Sequence, residues 1–300
     1  MRKIWHNGVI KPESEAVYSA YSESMMLGTT CFEMQRTFNK ITFKLHEHLD
    51  RLANSCKILE IPFDKEVVYY AHEELLQYHT QTFPEVEEWR LLINVQRGIL
   101  PIYQRMLKDD GKPDTMITCF PLSEITKGMS WVYDGVKAIV PSQRALPHHL
   151  LDSRLKTRSR QHLKMANLEI EKIDKHAFPL LLDPDGFISE STGSNFFIVQ
   201  EDGYVYTPYG RNCLRGISRE FVMTLEQFPI YEENITLYDV ITADEAFLTN
   251  TPYAIIPCTS VNGHPIGNGK VGPMTKQITQ TWIDSVGCDF ISQMRRWDKI

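Results

Sequence analysis

The sequence predicts an α/β protein of two domains, with helices and strands layered around each core. Segments with strand patterns alternate with segments of helical spacing in both halves of the chain. A length of 300 residues suits about two domains. The polar, turn-rich stretch SEITKGMSWVYDG lies between the halves. We therefore predict a small N-terminal α/β domain over 1–122, a connection over 123–135 and a larger C-terminal α/β domain over 136–300.

The first half of the chain carries several strand signals and one clear helix. WHNGVI, KITFKL, LLINV (91–95) and MITCFP (116–121) have the composition of short strands. In HEHLDRLANSCKIL, residues 46–59, the apolar side chains recur at helical spacing and define one buried face. These residues are Leu49, Leu52, Ala53, Cys56 and Leu59.

The second half begins with a predicted strand, VKAIVP (136–141), and a helix follows. DPDG (183–186) supplies turn chemistry between two strands, and VNGH (261–264) is typical of a hairpin. Gly216 precedes a predicted helix start that Ser218 would cap. AFLTN (246–250) predicts a strand, and residues 274–298 predict a helical tail. One face of the earlier helix is marked by Leu163, Ala166, Ile170 and Ile173.

Composition excludes several classes of protein. A net charge of −6 without a basic block argues against nucleic acid or an anionic membrane as a partner. No apolar run approaches the roughly 20 residues that a membrane span needs. The N-terminus, MRKIWHNGVI, lacks the apolar core of a signal peptide, so we expect a cytoplasmic protein. The cysteines are scattered without a CxxC pair, and the paired histidines lack metal-site spacing, so we expect reduced thiols and no metal.

Lys156, in SRLKTRSR, is a candidate nucleophile. Arg154, Arg158 and Arg160 lie close to it in sequence, and neighbouring cations disfavour the ammonium form. An amine with lowered proton affinity can attack a carbonyl. The alternative is an ordinary solvated basic segment at the start of a helix.

A lone carboxylate, Glu190, stands in ISESTGSNFFIV (188–199), ahead of a strand-like apolar run. The small residues after it would let backbone approach a ligand closely. The alternative is a turn that feeds a core strand, with Glu190 in water.

Three features could receive a phosphate group. GIS (216–218) offers backbone N–H groups at a helix start, LTNT (248–251) ends a strand with hydroxyls, and Arg51 offers a guanidinium fork. The alternatives are a glycine turn, a polar loop and an arginine that covers the domain edge. A reactive amine, a lone carboxylate and a phosphate site together are what pyridoxal phosphate requires, because the carboxylate keeps the pyridine nitrogen protonated.

The order of these segments resembles that of the class IV aminotransferases, which are pyridoxal-phosphate enzymes of fold type IV. The resemblance runs nearly from end to end. It is carried by LGTTCFE (27–33), HEHLDRL (46–52), LKT (155–157), ISESTGSNFF (188–197), LRGISR (214–219) and ADEAFLTNTP (243–252).

The resemblance implies two α/β domains with pyridoxal 5'-phosphate at the domain interface, and a homodimer. It implies ping-pong transamination between an amino acid, branched-chain-like or of D configuration, or an amine, and a 2-oxo acid. Lys156 becomes the catalytic Schiff-base residue and Glu190 the partner of the pyridine nitrogen. The implied cofactor-binding residues are Arg51, Lys156, Glu190, Ser194, Asn195, Gly216, Ile217, Ser218 and Thr251.

The departures from the family pattern concern the substrate. PIYQ (101–104) lacks the Arg-x-His that traps the substrate carboxylate in D-amino acid enzymes, and Pro252 lacks a backbone N–H that branched-chain enzymes use. We therefore expect the substrate carboxylate to be held differently. The candidate substrate residues are Phe32, Arg36, Arg97, Arg160 and Pro252.

Two alternatives remain at this point. A lyase of the aminodeoxychorismate lyase type would use the same fold and cofactor without a 2-oxo acid acceptor. A non-catalytic protein that binds a phosphorylated ligand would form no Schiff base, and its Lys156 would be unreactive.

Overall fold

The computed structural model of the protein describes residues 1–299. The chain divides into two compact units. The first unit contains Met1–Ile125 and Leu155–Ser159, and the second contains Thr126–Arg154 and Arg160–Ile300. The sequence assigned Lys156 to the C-terminal domain, whereas the short segment that carries it groups with the first unit. The reason is backbone pairing, since Thr157 bridges Cys31 in antiparallel register.

The first unit is built on a six-stranded sheet of order β2-β1-β6-β5-β3-β4, in which neighbours pair antiparallel. Its strands are β1 (Lys3–His6), β2 (Val9–Pro12), β3 (Thr30–Phe38), β4 (Ile41–Thr42), β5 (Trp89–Gln96) and β6 (Asp114–Pro121). Its helices are α1 (Glu23–Leu27), α2 (Leu45–Ile58), α3 (Lys65–Thr82) and α4 (Pro101–Leu107).

Helices α2 and α3 cover this sheet and form the core of the first unit with it. The predicted apolar face of α2 is confirmed, because Leu49, Leu52 and Cys56 are at most 1% exposed. They pack in one cluster with Leu75 of α3 and Leu91 of β5. Asp64 caps α3 by accepting from two backbone N–H groups of its first turn.

The second unit contains a nine-stranded sheet of order β12-β11-β10-β13-β14-β7-β8-β9, with β15 paired to β14. Parallel pairs join β11 to β12, β7 to β14 and β7 to β8. Its strands are β7 (Val136–Ile139), β8 (Phe178–Leu182), β9 (Ile188–Ser191), β10 (Asn195–Val199), β11 (Val205–Pro208), β12 (Ile230–Glu233), β13 (Glu245–Asn250), β14 (Ala254–Val261) and β15 (His264–Pro265).

Helices flank this second sheet. Buried aromatic side chains form much of its core: Phe197 of β10 stacks on Phe247 of β13 with ring centres 4.8 Å apart. The helices are α5 (Ser123–Thr126), which spans the point of division, then α6 (Gln161–Ile170), α7 (Ile217–Met223), α8 (Leu237–Thr242), α9 (Pro273–Val286) and α10 (Phe290–Trp297).

The predicted alternation of helices and strands in both halves is confirmed, as are the turn at 183–186 and the Asn262–Gly263 hairpin. Other local predictions were wrong. Ser218 does not cap α7, because Gly216 is the N-cap and Ser218 lies in the first turn. Helix α6 ends at Ile170, which leaves Ile173 outside it and 67% exposed.

Two further boundaries differ from the prediction. KITFKL forms strand only at Ile41–Thr42, since Leu45 already begins α2. The helical tail is two helices, because Gly287 adopts the left-handed conformation that ends α9.

Within residues 1–299, no helix combines the length and apolarity that spanning a membrane requires. The six cysteines are buried and form no disulfide. In that same part of the chain, no group of three or more His, Cys, Asp or Glu side chains has the arrangement of a metal site.

Candidate active site

Lys156 lies on a short extended segment that adds to the edge of β3. The N–H of Phe32 donates to the carbonyl of Lys156 at 3.1 Å, and the N–H of Arg158 donates to the carbonyl of Thr30 at 2.9 Å. Opposed residues of an antiparallel pair point to the same face. Consistent with this, the Lys156 amine lies 4.9 Å from the centre of the Phe32 ring. Backbone pairing thus fixes the lysine before α6 begins.

The surroundings of Lys156 include α2 as well as β3. The Lys156 N–H donates to the hydroxyl of Ser55, on α2, at 3.3 Å. Its sequence neighbour Arg154 is exposed and pairs with Asp152 at 2.6 Å. The guanidinium carbon of Arg158 lies 3.9 Å from the centre of the Phe32 ring. Of the arginines close to Lys156 in sequence, Arg158 therefore contacts the same ring as Lys156, whereas Arg154 pairs with Asp152.

Arg51, the predicted phosphate ligand, forms a fork with a buried carboxylate. Its Nε donates to Oε1 of Glu33 at 2.6 Å and its Nη2 donates to Oε2 at 2.8 Å. Nδ1 of His48 lies 2.7 Å from the same Oε2. Helical spacing places His48 and Arg51 on one face of α2, towards β3. The fork fixes the orientation of Arg51, whose side chain is 12% exposed.

The charges in this cluster are strongly coupled. Burial raises the pKa of Glu33, but Arg51 and His48 outweigh burial and bring that pKa to about 2. Burial lowers the pKa of His48, while its contact with Glu33 opposes that shift. The fold therefore holds an ionised Glu33 against a cationic Arg51.

In the second unit, Asn195 connects two of the predicted motifs. Glu190 lies near the end of β9, and Asn195 begins β10 after a tight loop. The Asn195 amide nitrogen donates to Oε2 of Glu190 at 3.2 Å and to the carbonyl of Leu214 at 2.8 Å. A Cβ added to Gly216 would meet Oδ1 of Asn195 at 2.1 Å. The structure thus brings Glu190, Asn195 and Gly216 together.

The last predicted motif lies beside the same loop. Strand β13 pairs with β10, with Thr249 opposite Asn195. The Asn250 amide donates to the hydroxyl of Ser194 at 3.0 Å. Thr251 and Pro252 follow in the turn that leads to β14, and both are partly exposed. Ser194 and the turn of Thr251 are therefore neighbours in the second unit.

Helix α7 begins next to Asn195 and is anchored by an arginine that the sequence did not single out. Arg219 is 1% exposed and donates to the carbonyl of Pro208 at 3.0 Å and to the carboxylate of Glu232. Ile217 and Ser218 form the first turn, and Ser218 is 5% exposed. In the sequence, only the place of Arg219 in LRGISR draws attention to it. That place does not show whether the arginine anchors the helix or binds a ligand.

The three arginines predicted to bind the substrate carboxylate differ in setting. Arg36 is 1% exposed, stacks on Phe38 and donates to the carbonyl of Thr37. Arg97 is half-exposed, with its Nε 3.8 Å from Glu23. Arg160 donates to the carbonyl of Thr192.

Arg160 also has an electrostatic relation to the predicted site. Burial lowers the pKa of Arg160, and the charge of Glu190 raises it. Arg160 is thus linked electrostatically to Glu190.

A groove of about 750 Å³ lies elsewhere in the second unit, toward the other end of β10 from Asn195. Acidic residues dominate its polar lining, and the predicted site residues are not among its lining residues. The groove therefore does not coincide with the candidate site.

Comparisons with known proteins give consistent matches. A family model described as Amino-transferase class IV matches residues 30–261. A relative from Methanocaldococcus jannaschii, provisionally named a branched-chain-amino-acid aminotransferase, is 32% identical over 289 residues. The matched region covers 94% of this chain and 96% of that protein.

Solved structures match over nearly the whole chain. A branched-chain amino acid aminotransferase from T.th., complexed with N-(5'-phosphopyridoxyl)-L-glutamate, has a TM-score of 0.83 at 24% identity, over 95% of this chain and 94% of that chain. The branched-chain aminotransferase from Thermoproteus uzoniensis with norvaline has a TM-score of 0.79 at 26% identity, over 99% and 98%. These likenesses confirm the predicted fold class.

Proposed function

The chain belongs to the class IV aminotransferase family, and from this premise we propose that it uses pyridoxal 5'-phosphate to move an amino group between an amino acid and a 2-oxo acid by a ping-pong mechanism. The observation that carries the proposal is the position of Asn195. It holds the carboxylate of Glu190 and packs against Gly216, where a side chain would not fit. A fixed carboxylate beside bare backbone suits a flat, cationic ring.

The residues present fit the cofactor in each of its parts. Lys156 offers a primary amine, and Glu190 offers a carboxylate for the ring nitrogen. Arg51 and the turn that begins α7 at Gly216 offer donors for the phosphate, and we propose that Ser194, Asn195, Ile217, Ser218 and Thr251 complete its surroundings. The Gly216 position is the sharpest part of this fit, because a Cβ there would collide with Asn195.

When bound, pyridoxal phosphate supplies an aldehyde for the amine and a ring that withdraws electrons from the bond being broken. The free amine of Lys156 would take the proton from the substrate α-carbon and deliver it to the carbon of the former aldehyde group. Glu190 would keep the proton on the pyridine nitrogen, and Asn195 holds Glu190 in place. Arg51, which is held by Glu33, would bind and orient the phosphate through its charge.

The choice of substrate rests on the relatives. Because these relatives are named branched-chain aminotransferases, we propose that the amino donor is an apolar amino acid. For the same reason we propose transamination and not the lyase reaction. We further propose that the working form is a homodimer. We place it in the cytoplasm, because its cysteines are buried and form no disulfide.

The visible absorption spectrum of the purified protein, after incubation with pyridoxal phosphate, tests this function. We expect the band of a lysine-bound cofactor in the wild type and in the control Lys164→Ala, which changes an exposed lysine of α6, and no band in Lys156→Ala. Absence of the band from the wild type would overturn the proposal.

Adding L- and D-amino acids one at a time identifies the donor and its configuration. The band should shift with one subset and return when a 2-oxo acid is supplied. Turnover that needs no 2-oxo acid would replace the transaminase with a lyase. Light scattering on a sizing column tests the homodimer.

A further inference from the structure

Arg158 shares a face with Lys156. Both residues lie on the extended segment Leu155–Ser159, and they are separated by Thr157, which is buried. Side chains alternate along an extended segment, so residues two apart point to the same side. Phe32 lies opposite Lys156 on this side, and both cations contact its ring.

The guanidinium of Arg158 is held in position from a second direction. Its Nε donates to Oδ1 of Asn94 at 3.1 Å, and its Nη2 donates to the same oxygen at 2.8 Å. Asn94 lies on β5 directly opposite Phe32. Asn94 on β5, Phe32 on β3 and Lys156 on the segment Leu155–Ser159 therefore lie side by side. The guanidinium of Arg158 contacts two of these side chains, Phe32 and Asn94.

A neutral amide and an aromatic ring orient the cation of Arg158. The amide of Asn94 accepts from the edge of the guanidinium, and the ring of Phe32 supports its flat face. Arg154, in the same stretch, is instead oriented by the carboxylate of Asp152. Arg158 is exposed, so a solute can reach it.

We propose that Arg158 binds the α-carboxylate of the amino acid substrate and of the 2-oxo acid that leaves. The proposal rests on the transaminase function proposed above. In an amino acid, one carbon separates the α-carboxylate from the amino nitrogen, which takes the place of the Lys156 amine during the reaction. The cation that receives the carboxylate must therefore be a close neighbour of Lys156. A guanidinium matches a carboxylate in two parallel hydrogen bonds.

The test uses the cofactor-loaded enzyme and its Arg158→Gln variant, with Arg154→Gln as the matched control. The shift of the cofactor band is titrated with a monocarboxylic donor, leucine, and a dicarboxylic donor, glutamate. We expect Arg158→Gln to raise the half-saturating concentration of both donors by about 10- to 100-fold. The dissociation constant of pyridoxal phosphate should stay unchanged, and Arg154→Gln should match the wild type.

Two further variants address folding. Arg158→Lys keeps the charge without the fork and should recover part of the loss. Asn94→Ala removes the amide that accepts from the guanidinium and should give a smaller loss than Arg158→Gln. Equal melting temperatures establish that each variant is folded. No change in half-saturation, or a change for glutamate alone, would overturn the α-carboxylate assignment while the cofactor band still stands. A wild type without that band would instead overturn the transaminase function.

Discussion

Arg51 and Glu33 meet edge to edge, with two parallel hydrogen bonds of 2.6 and 2.8 Å between guanidinium and carboxylate. Glu33 has no exposed surface, and the two residues come from β3 and α2. A residue proposed to bind the cofactor phosphate is thus set in place by a charge in the core of the first unit.

Removing the charge of Glu33 should therefore weaken both the fold and the site. Breaking a buried pair by neutralising one partner costs about 3–5 kcal/mol, and we expect Glu33→Gln to lose an amount of that order in urea unfolding. The variant should also bind pyridoxal phosphate more weakly, because Arg51 loses its fixed orientation. Asp50→Asn is the control, since Asp50 forms an exposed pair with Lys65 that contributes about 0–1 kcal/mol. Equal losses in the two variants would contradict the prediction.

The lowered pKa of Glu33 also predicts how the free energy of unfolding depends on pH. Arg51 and His48 outweigh burial and lower the pKa of Glu33 from 4.5 to about 2. A carboxylate whose pKa is lower in the folded state stabilises the fold fully above its unfolded pKa and loses that contribution as the pH falls through the folded pKa. The free energy of unfolding should therefore fall between about pH 5 and pH 2, by on the order of 3 kcal/mol from this group. Urea titrations across that range should show a shallower fall for Glu33→Gln.

His72 should add a loss of stability at milder pH. It is fully buried in α3, and burial lowers its pKa from 6.5 despite its contact with Glu73. The unfolded chain takes up a proton there before the folded chain does, so stability falls as the pH drops below about 6.5. His72→Leu should reduce the difference in unfolding free energy between pH 7.5 and pH 5.5. An unchanged difference in that variant, with the exposed His149→Gln as control, would count against the prediction.

Gly216→Ala should damage the site by volume alone. The glycine has an ordinary φ of −68°, so alanine is allowed by the backbone, but its Cβ would meet Oδ1 of Asn195 at 2.1 Å. Overpacking costs about 1–3 kcal/mol, and displacing Asn195 also releases Glu190. We expect activity to fall by about 100-fold, as for a misplacement of about 1 Å. Gly193→Ala is the matched control, because a Cβ at Gly193 meets nothing within 4 Å. Assays of both variants at saturating cofactor separate lost catalysis from lost binding.

Much of the fold followed from patterns within single segments, and the differences arose where distant residues decide. The long helix α3 was missing from the prediction although Asp64 caps it, because its polar residues dilute the apolar spacing. Ile173 matched the helical spacing of α6 but lies beyond its end, since spacing does not mark where tertiary packing stops.

The candidate site also has a part that the sequence indicated and a part that it did not. The resemblance to the family assigned Glu190, Asn195 and Gly216 to one cofactor site, and the structure brings these three residues together. The fork between Arg51 and Glu33 was not predictable, because the sequence does not state which side chain a guanidinium meets across a sheet and a helix. Arg158 was passed over for the same reason, since only pairing with β3 puts it beside Lys156 and Phe32.

The segment Leu155–Ser159 has a second consequence through its pairing with β3. It continues the edge that the short β4 leaves off, so Thr30–Phe32 have a neighbour on each side. A chain cut before residue 155 would leave the N–H of Phe32 and the C=O of Thr30 without their partners in this segment, and open strand edges recruit other chains. The segment that carries Lys156 thus also covers an edge of the sheet in the first unit.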